Sequence, residues 1–220
     1  MRRFARPRPA LLLAPLLALL AACGDSAIGR SAVALSDTLI GSDRVPISRA
    51  DADASPYAAI LVRASGGRPA YVVLYGSVGG RQTWLGADRG VLVTEHGRLV
   101  ATANLRGGQL VNTWFGPPDP LSGPVEALDG AAGWRQVDLQ PGDVFGYRLD
   151  CTMAVTARGP VVILDLQYEL ATVEERCRGD DGASIVNRFW VDPRSGFVWK
   201  SDQWAGPAGR IRIEVLKPPA

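Results

Sequence analysis

The chain has 220 residues, 47% of them hydrophobic and 21% charged, with 24 basic and 22 acidic side chains and a single histidine. Four of the basic residues, Arg2, Arg3, Arg6 and Arg8, precede the first apolar run, so the remainder carries 20 basic groups against 22 acidic ones, close to −2. That balance excludes the basic footprint of a nucleic-acid-binding domain, and the length suits one domain with a real core.

From Ala10 to Ala22 there is an apolar run of 13 residues, broken only by Pro15. It is shorter than the roughly 20 residues a membrane-spanning helix needs, and with its positive lead it has the layout of a secretory signal. Leu20-Ala21-Ala22-Cys23-Gly24 resembles a bacterial lipobox. The resemblance predicts a signal peptide over residues 1–22 and a mature chain starting at Cys23, which carries a diacylglycerol and an acyl chain (palmitate). An ordinary secretory cleavage that happens to precede a cysteine is the alternative. At about 0.8 kcal/mol per buried CH₂, three acyl chains exceed the two-signal threshold for stable anchoring, so the membrane is the first expected partner. Gly24 follows the cysteine and the acid comes one place later, at Asp25. That order favours the periplasmic side of the outer membrane over the inner membrane.

Residues 25–55 are polar and poor in aromatics, and residues 23–55 read as a lipid-anchored tether with a helix near Ile47 to Ala52. The domain proper is expected over residues 56–220. Tyr57 to Ala64, Ala70 to Tyr75, Gln82 to Leu85, Gly90 to Thr94 and Arg98 to Thr102 are short β-rich runs. Gly66-Gly67-Arg68-Pro69, Gly79-Gly80, Asp88-Arg89-Gly90 and His96-Gly97 separate them. Turn signals at this spacing, with no helical period between them, predict a mostly β, antiparallel meander and argue against βαβ units.

The segment Trp84-Leu85-Gly86-Ala87-Asp88-Arg89-Gly90-Val91-Leu92-Val93-Thr94-Glu95-His96-Gly97-Arg98 through Leu105 resembles the YjbF/GfcB family of exopolysaccharide and group 4 capsule lipoproteins. A second segment, with Asn187, Phe189-Trp190-Val191-Asp192, the Gly196 turn, Trp199-Lys200-Ser201 and Gln203-Trp204, is similar to the same family's C-terminal end. Asn104 stands where that pattern carries a glycine, and asparagine tolerates a left-handed backbone better than most residues. The resemblance implies a lipoprotein of a polysaccharide system, with a sheet curved into a half-barrel and a few short helices. It implies no catalytic residues.

Further along, Leu110 to Phe115 reads as a strand or a short helix, and Gly116-Pro117-Pro118-Asp119-Pro120 as a loop, since proline donates no ladder hydrogen bond. Trp134 to Leu139 restarts the sheet. Val144 to Thr156 and Val161 to Val173 are expected to pair around a turn at Ala157-Arg158-Gly159-Pro160. In an oxidising compartment, a Cys151–Cys177 disulfide is the economical pairing, with two buried free thiols as the alternative. The two cysteines face each other only if the second strand runs past Val173, so the disulfide predicts an extended, bulged pair. The chain's end reads as three strands: Asn187 to Val191, Phe197 to Trp204, and an alternating run that puts Ile211, Ile213 and Val215 on one face.

Candidate chemistry is sparse. His96 lies in a hairpin turn, without the orienting partner and nucleophile that a general base needs, and reads as a solvent-exposed turn residue. No Gly-x-Ser-x-Gly elbow supports a hydrolase triad. Asp165 and Glu169, read as strand residues sharing a face, lie about 13 Å apart, too far for a glycosidase pair. Glu174-Glu175 with Arg176, and Asp180-Asp181 with Arg178, read as solvated turns rather than a calcium site. No second Cys or His lies near either cysteine to complete a metal site, and no cofactor is expected. The six tryptophans serve first to fill a curved sheet, and second as sugar-stacking platforms. Trp114, beside the proline-rich loop, is the first choice for glycan contact, with Trp84 and Trp204 as further candidates.

The expectation is a lipid-anchored, periplasm-facing, non-catalytic accessory in exopolysaccharide or capsule production or export, acting as a scaffold or glycan contact. Its partners would be the membrane, a polysaccharide and export-system proteins, with no nucleic acid. A carrier or chaperone for a hydrophobic ligand in a half-barrel cavity, and a polysaccharide-modifying enzyme, are the alternatives.

Overall fold

The computed structural model describes residues 47–116 and 118–219. The predicted signal peptide, Cys23 and residues 24–46 of the tether lie outside the described residues. All described residues belong to one compact unit, Arg44–Ala220.

A short helix, α1 (Arg49–Ala54), starts at Ser48, whose hydroxyl accepts the Asp51 amide at 3.2 Å. This cap satisfies one of the amides that a helix start leaves without a partner. Twelve strands follow: β1 (Ala59–Ala64), β2 (Ala70–Val78), β3 (Arg81–Gly86), β4 (Val91–Glu95), β5 (Arg98–Ala103), β6 (Gln109–Phe115), β7 (Ala132–Gln140), β8 (Val144–Ile163), β9 (Leu166–Gly179), β10 (Ser184–Val191), β11 (Val198–Trp204) and β12 (Arg210–Lys217).

They form one antiparallel sheet in the order β5-β4-β3-β2-β1-β12-β11-β10-β9-β8-β7-β6. Nearly every neighbour is therefore the next strand in sequence. The exception is β1 against β12, which joins the two ends of the meander from Ala59↔Lys217 to Ala64↔Ile211. The seam of the barrel consequently falls between β5 and β6, where the Leu110 amide of β6 donates to Thr102 Oγ1 of β5 at 2.9 Å. The expected antiparallel meander is present, and its curvature carries the sheet almost to closure.

Period-two burial explains the curvature. Ile211, Ile213 and Val215 of β12 face inward, as do Leu149, Cys151 and Met153 of β8, and all are buried. The inner wall holds two apolar clusters, one around Trp84, Leu92, Leu149 and Ile211, the other around Leu128, Val173, Phe189 and Val191. A third cluster lies on the outer face of β1 and β12, where Leu61 and Leu216 meet Ile163 and Leu170 from the far end of β8 and β9, with Ala52 of α1. Arg49 fastens this layer: it donates to the carbonyls of Leu216 (2.8 Å) and Ile163 (3.1 Å) and to Asp165 Oδ1 (3.0 Å).

Three expectations from sequence are corrected. The turn expected at Ala157 to Pro160 is strand: β8 runs on to Ile163, and the chain reverses at Leu164-Asp165, with Leu164 at φ 57°. Pro160 is admitted because β7 pairs with β8 only as far as Thr152, so β8 is an edge strand beyond that point. Asp165 consequently sits in a turn, while Glu169 alone is in a strand. Glu174 and Glu175 are not in a solvated turn but in the middle of β9, both buried.

The extended, bulged pair predicted from the cysteines is present. Cys151 lies opposite Cys177, the two form a disulfide, and the register shifts between Val155 and Ala157. Leu110 to Phe115 is a strand rather than a helix. His96 is exposed at φ 49° in the β4–β5 turn, and Asn104 adopts the left-handed backbone (φ 58°) that its place in the turn requires.

Candidate functional site: a latched lumen and a mouth cavity

One end of the barrel carries the turns Gly79-Gly80, His96-Gly97 and Asp192 to Phe197, together with the loop between β6 and β7. At this mouth the β4–β5 hairpin bends inward. Gly97, at φ 78°, approaches β11 so closely that a Cβ there would lie 2.3 Å from Val198 Cβ. Only glycine meets both demands.

Bending inward buries the edge of β5, whose amides and carbonyls then need partners. Gln203 of β11 provides them: its Oε1 accepts the Leu99 amide at 2.9 Å, and its Nε2 donates to the Gly97 carbonyl (2.9 Å) and to Ser201 Oγ (2.8 Å).

Beside this contact lies a buried charge network. Arg98 of β5, 2% exposed, donates from Nε and Nη2 to the two carboxylate oxygens of Asp119, at 2.5 and 3.0 Å. It also donates from Nη1 to Glu175 Oε2 at 3.0 Å. Arg135 of β7 donates to both oxygens of Glu175 at 2.9 Å, and Asn187 of β10 adds a bond of 2.6 Å. The Arg98 guanidinium also lies 5.2 Å from the centre of the Phe189 ring. Two cations and two anions thus neutralise each other in the lumen.

Burial alone would raise the Glu175 carboxyl, but Arg135 and Arg98 outweigh it and hold the group at about 2. For Arg98, burial opposes the charge while Glu175 and Asp119 prevail and raise it. For Arg135, burial prevails and lowers it, yet a guanidinium stays protonated at physiological pH. With its oxygens engaged by two guanidiniums and an amide, Glu175 is poorly placed to accept a further proton. The network behaves as a latch that ties the inward hairpin and the β6–β7 loop to the opposite wall.

Next to the latch, a cavity of about 350 Å³ opens at the mouth. Trp84, Phe197 and Trp199 give it aromatic walls, Ile60, Ile213 and Val215 an apolar floor, and Gln82, Thr94 and Ser201 polar points. His96, Ser195 and Lys200 also border it. Trp199 is fixed between the rings of Tyr168 (4.5 Å, stacked) and Phe197 (5.0 Å, edge-on). The volume falls at the small end of the range for ligand sites, and the mixed lining suits a ligand with both apolar faces and hydroxyls.

The tryptophans predicted from sequence are not brought together. Trp84 is buried, borders the cavity, and donates its indole N–H to Thr94 Oγ1 at 2.8 Å. Trp204 is half-buried against the inner core. Trp114 stands 48% exposed on β6 and does not line the cavity. Among the described residues, Cys151, Glu175 and Cys177 cluster within 4.8 Å, but the disulfide occupies both sulfurs, so they are not ligands for a metal. The latch itself was missed in the sequence. A signal for Glu175 was present, since it shares its period-two phase with Val173 and Cys177 and so belongs to the buried face.

A nearly closed antiparallel meander barrel, latched by buried charges and hollow at one mouth, defines the class of protein. The chain belongs to the family described as group 4 capsule polysaccharide lipoprotein gfcB, YjbF, which matches residues 32–216. It is 32% identical to the uncharacterized lipoprotein YjbF of Escherichia coli K12 over 209 residues, covering 90% of this chain and 92% of that one. It is 27% identical to the uncharacterized lipoprotein GfcB of the same organism over 192 residues, covering 82% and 86%. The crystal structure of the hypothetical lipoprotein YmcC from Escherichia coli K12 has the same fold, with a TM-score of 0.72 at 24% identity over 89% of this chain and 97% of that one.

Proposed function

We propose that this protein is an accessory of exopolysaccharide or capsule production or export, anchored through a lipidated Cys23 to the periplasmic side of the outer membrane, and that it holds a glycan chain end in the mouth cavity without performing chemistry on it. The observation that carries the reading is the cavity's lining: Phe197 and Trp199 give it aromatic surface against which a sugar can pack, while Gln82, Thr94 and Ser201 bring polar atoms to it. Family membership supplies the polysaccharide context. The cavity's size also suits an acyl chain, and the hydroxyls of Thr94 and Ser201 are bonded within the fold to Trp84 and Gln203, so the preference for a glycan rests on the polysaccharide context of the family.

The test is polysaccharide output and chain length in a deletion strain complemented by the wild type, Cys23→Ala, Phe197→Ala or Trp114→Ala. Output should fall on deletion and return with the wild type but not with Cys23→Ala. Phe197→Ala should shift chain length, while Trp114→Ala, outside the cavity, should behave as wild type. Unchanged polysaccharide in the deletion strain would overturn the reading.

A further inference from the structure

Positive charge is segregated on the outer face of β8 to β12, in a chain whose basic and acidic residues nearly balance. Three carboxylates on this face each stand between two arginines. Asp150 pairs with Arg148 at 2.9 Å and lies directly opposite Arg178 on the neighbouring strand. Glu174 is bracketed by Arg176 and by Arg188, the latter at 3.2 Å. Asp202 is bracketed by Arg210 at 2.8 Å and Arg212 at 3.1 Å. Every triad keeps one excess positive charge, and the three together run across five adjacent strands, about 19 Å at the usual strand spacing. Asp180 and Asp181 lie at the end of this stripe, in the β9–β10 turn, where Asp181 accepts the Tyr147 hydroxyl at 2.5 Å.

An arginine paired through one edge to a carboxylate keeps further N–H donors, and those of Arg176, 70% exposed, are open to solvent. Repeated guanidiniums on a rigid sheet match a ligand with carboxylates or phosphates repeated along its length. A neutral sugar chain gains nothing from the excess charge, and a small anion would use only one triad.

Building on the polysaccharide role proposed above, we infer that this stripe binds an acidic polysaccharide, running across the strands on the outer wall. A bilayer is the other anionic surface available. The geometry disfavours it, because α1 is docked at the Leu216-Lys217 end of β12, where Lys217 Nζ donates to the Asp53 and Ser55 carbonyls. Arg212 and Arg210 stand toward the other end of that strand, roughly 13 and 20 Å from Leu216. α1 therefore meets the barrel away from the stripe.

The experiment measures binding of polygalacturonate to the mature protein, purified whole in non-ionic detergent, at rising NaCl. Dextran serves as the neutral polymer and phosphatidylglycerol vesicles as the membrane surface. The wild type should bind polygalacturonate with an affinity that falls as salt rises, and should not bind dextran. R148Q/R176Q/R212Q removes one arginine from each triad and leaves every carboxylate a partner; it should weaken binding by about tenfold or more and flatten the salt dependence. R148K/R176K/R212K should retain most of the binding, and R89Q/R194Q, on turns elsewhere, should leave it unchanged. Equal binding of dextran, an unaffected triple glutamine variant, or vesicle binding without polygalacturonate binding would each overturn the inference. A polysaccharide defect in the deletion strain combined with any of these outcomes would sink the stripe alone. Salt-sensitive polygalacturonate binding without a defect would sink the cellular role instead.

Discussion

Gln203 and Leu99 sit on strands six places apart in the sheet whichever way the ring is counted, yet the Gln203 side chain accepts the Leu99 amide at 2.9 Å. The inward bend of the β4–β5 hairpin brings β5 within reach of a single side chain on β11. Replacing Gln203 with leucine keeps the volume but leaves the Leu99 amide and the Gly97 carbonyl buried without partners. Each orphaned group costs about 1–3 kcal/mol. Urea unfolding should show that loss as a lower midpoint with an unchanged slope.

The latch makes a prediction about acid. Glu175 is held at about 2 in the folded protein, below its ordinary value of 4.5. A carboxylate depressed by folding contributes stability that is fully present above its unfolded pKa and is lost as pH falls through the folded one. Stability should therefore decline between pH 4.5 and about 2. Glu175→Gln should be less stable at neutral pH by about 3–5 kcal/mol, since it strands Arg135 and weakens the hold on Arg98. Its stability should also change less with pH across that window. Parallel profiles for the two proteins, from unfolding titrations at a series of pH values, would refute the assignment.

Gly97 tests the inward bend. A methyl group there meets Val198 at 2.3 Å in a backbone region that L side chains avoid. Gly97→Ala should lower the melting temperature, whereas Gly79→Ala, in another turn of positive φ with open space around it, should cost only the backbone term of about 1 kcal/mol. Thermal melts of the two variants decide whether the hairpin truly presses on β11.

What the sequence disclosed follows the range of the forces involved. Alternation in Ile211, Ile213 and Val215, and turn residues such as Gly196 and Asn104, are local signals, and the strands and turns they specify were legible. The join of β1 to β12 and the bridge from Gln203 to Leu99 depend on residues more than 100 places apart, and no local period records them. Arg98 and Glu175 were hidden for another reason. Charge normally marks solvent, and only their phase among apolar neighbours reveals that each has the other as its partner. Pro160 misled in the same way: proline reads as a turn until it is known that β8 is an edge strand there.

The disulfide links the two readings of β8 and β9. Cys151 and Cys177 are 26 residues apart in sequence and directly opposed in the ladder. Closing a loop of this length restricts the unfolded chain by roughly 3 kcal/mol. The bond also pins the register that places Glu175, two residues from Cys177, beside Arg98 and Arg135. The double variant Cys151→Ala/Cys177→Ala should therefore be less stable by about that amount. Combined with Glu175→Gln, it should lose less than the two separate losses added together, because each removes something the other holds in place. A double-mutant cycle by urea unfolding measures this coupling, and strictly additive losses would show that the disulfide and the latch stabilise the barrel independently.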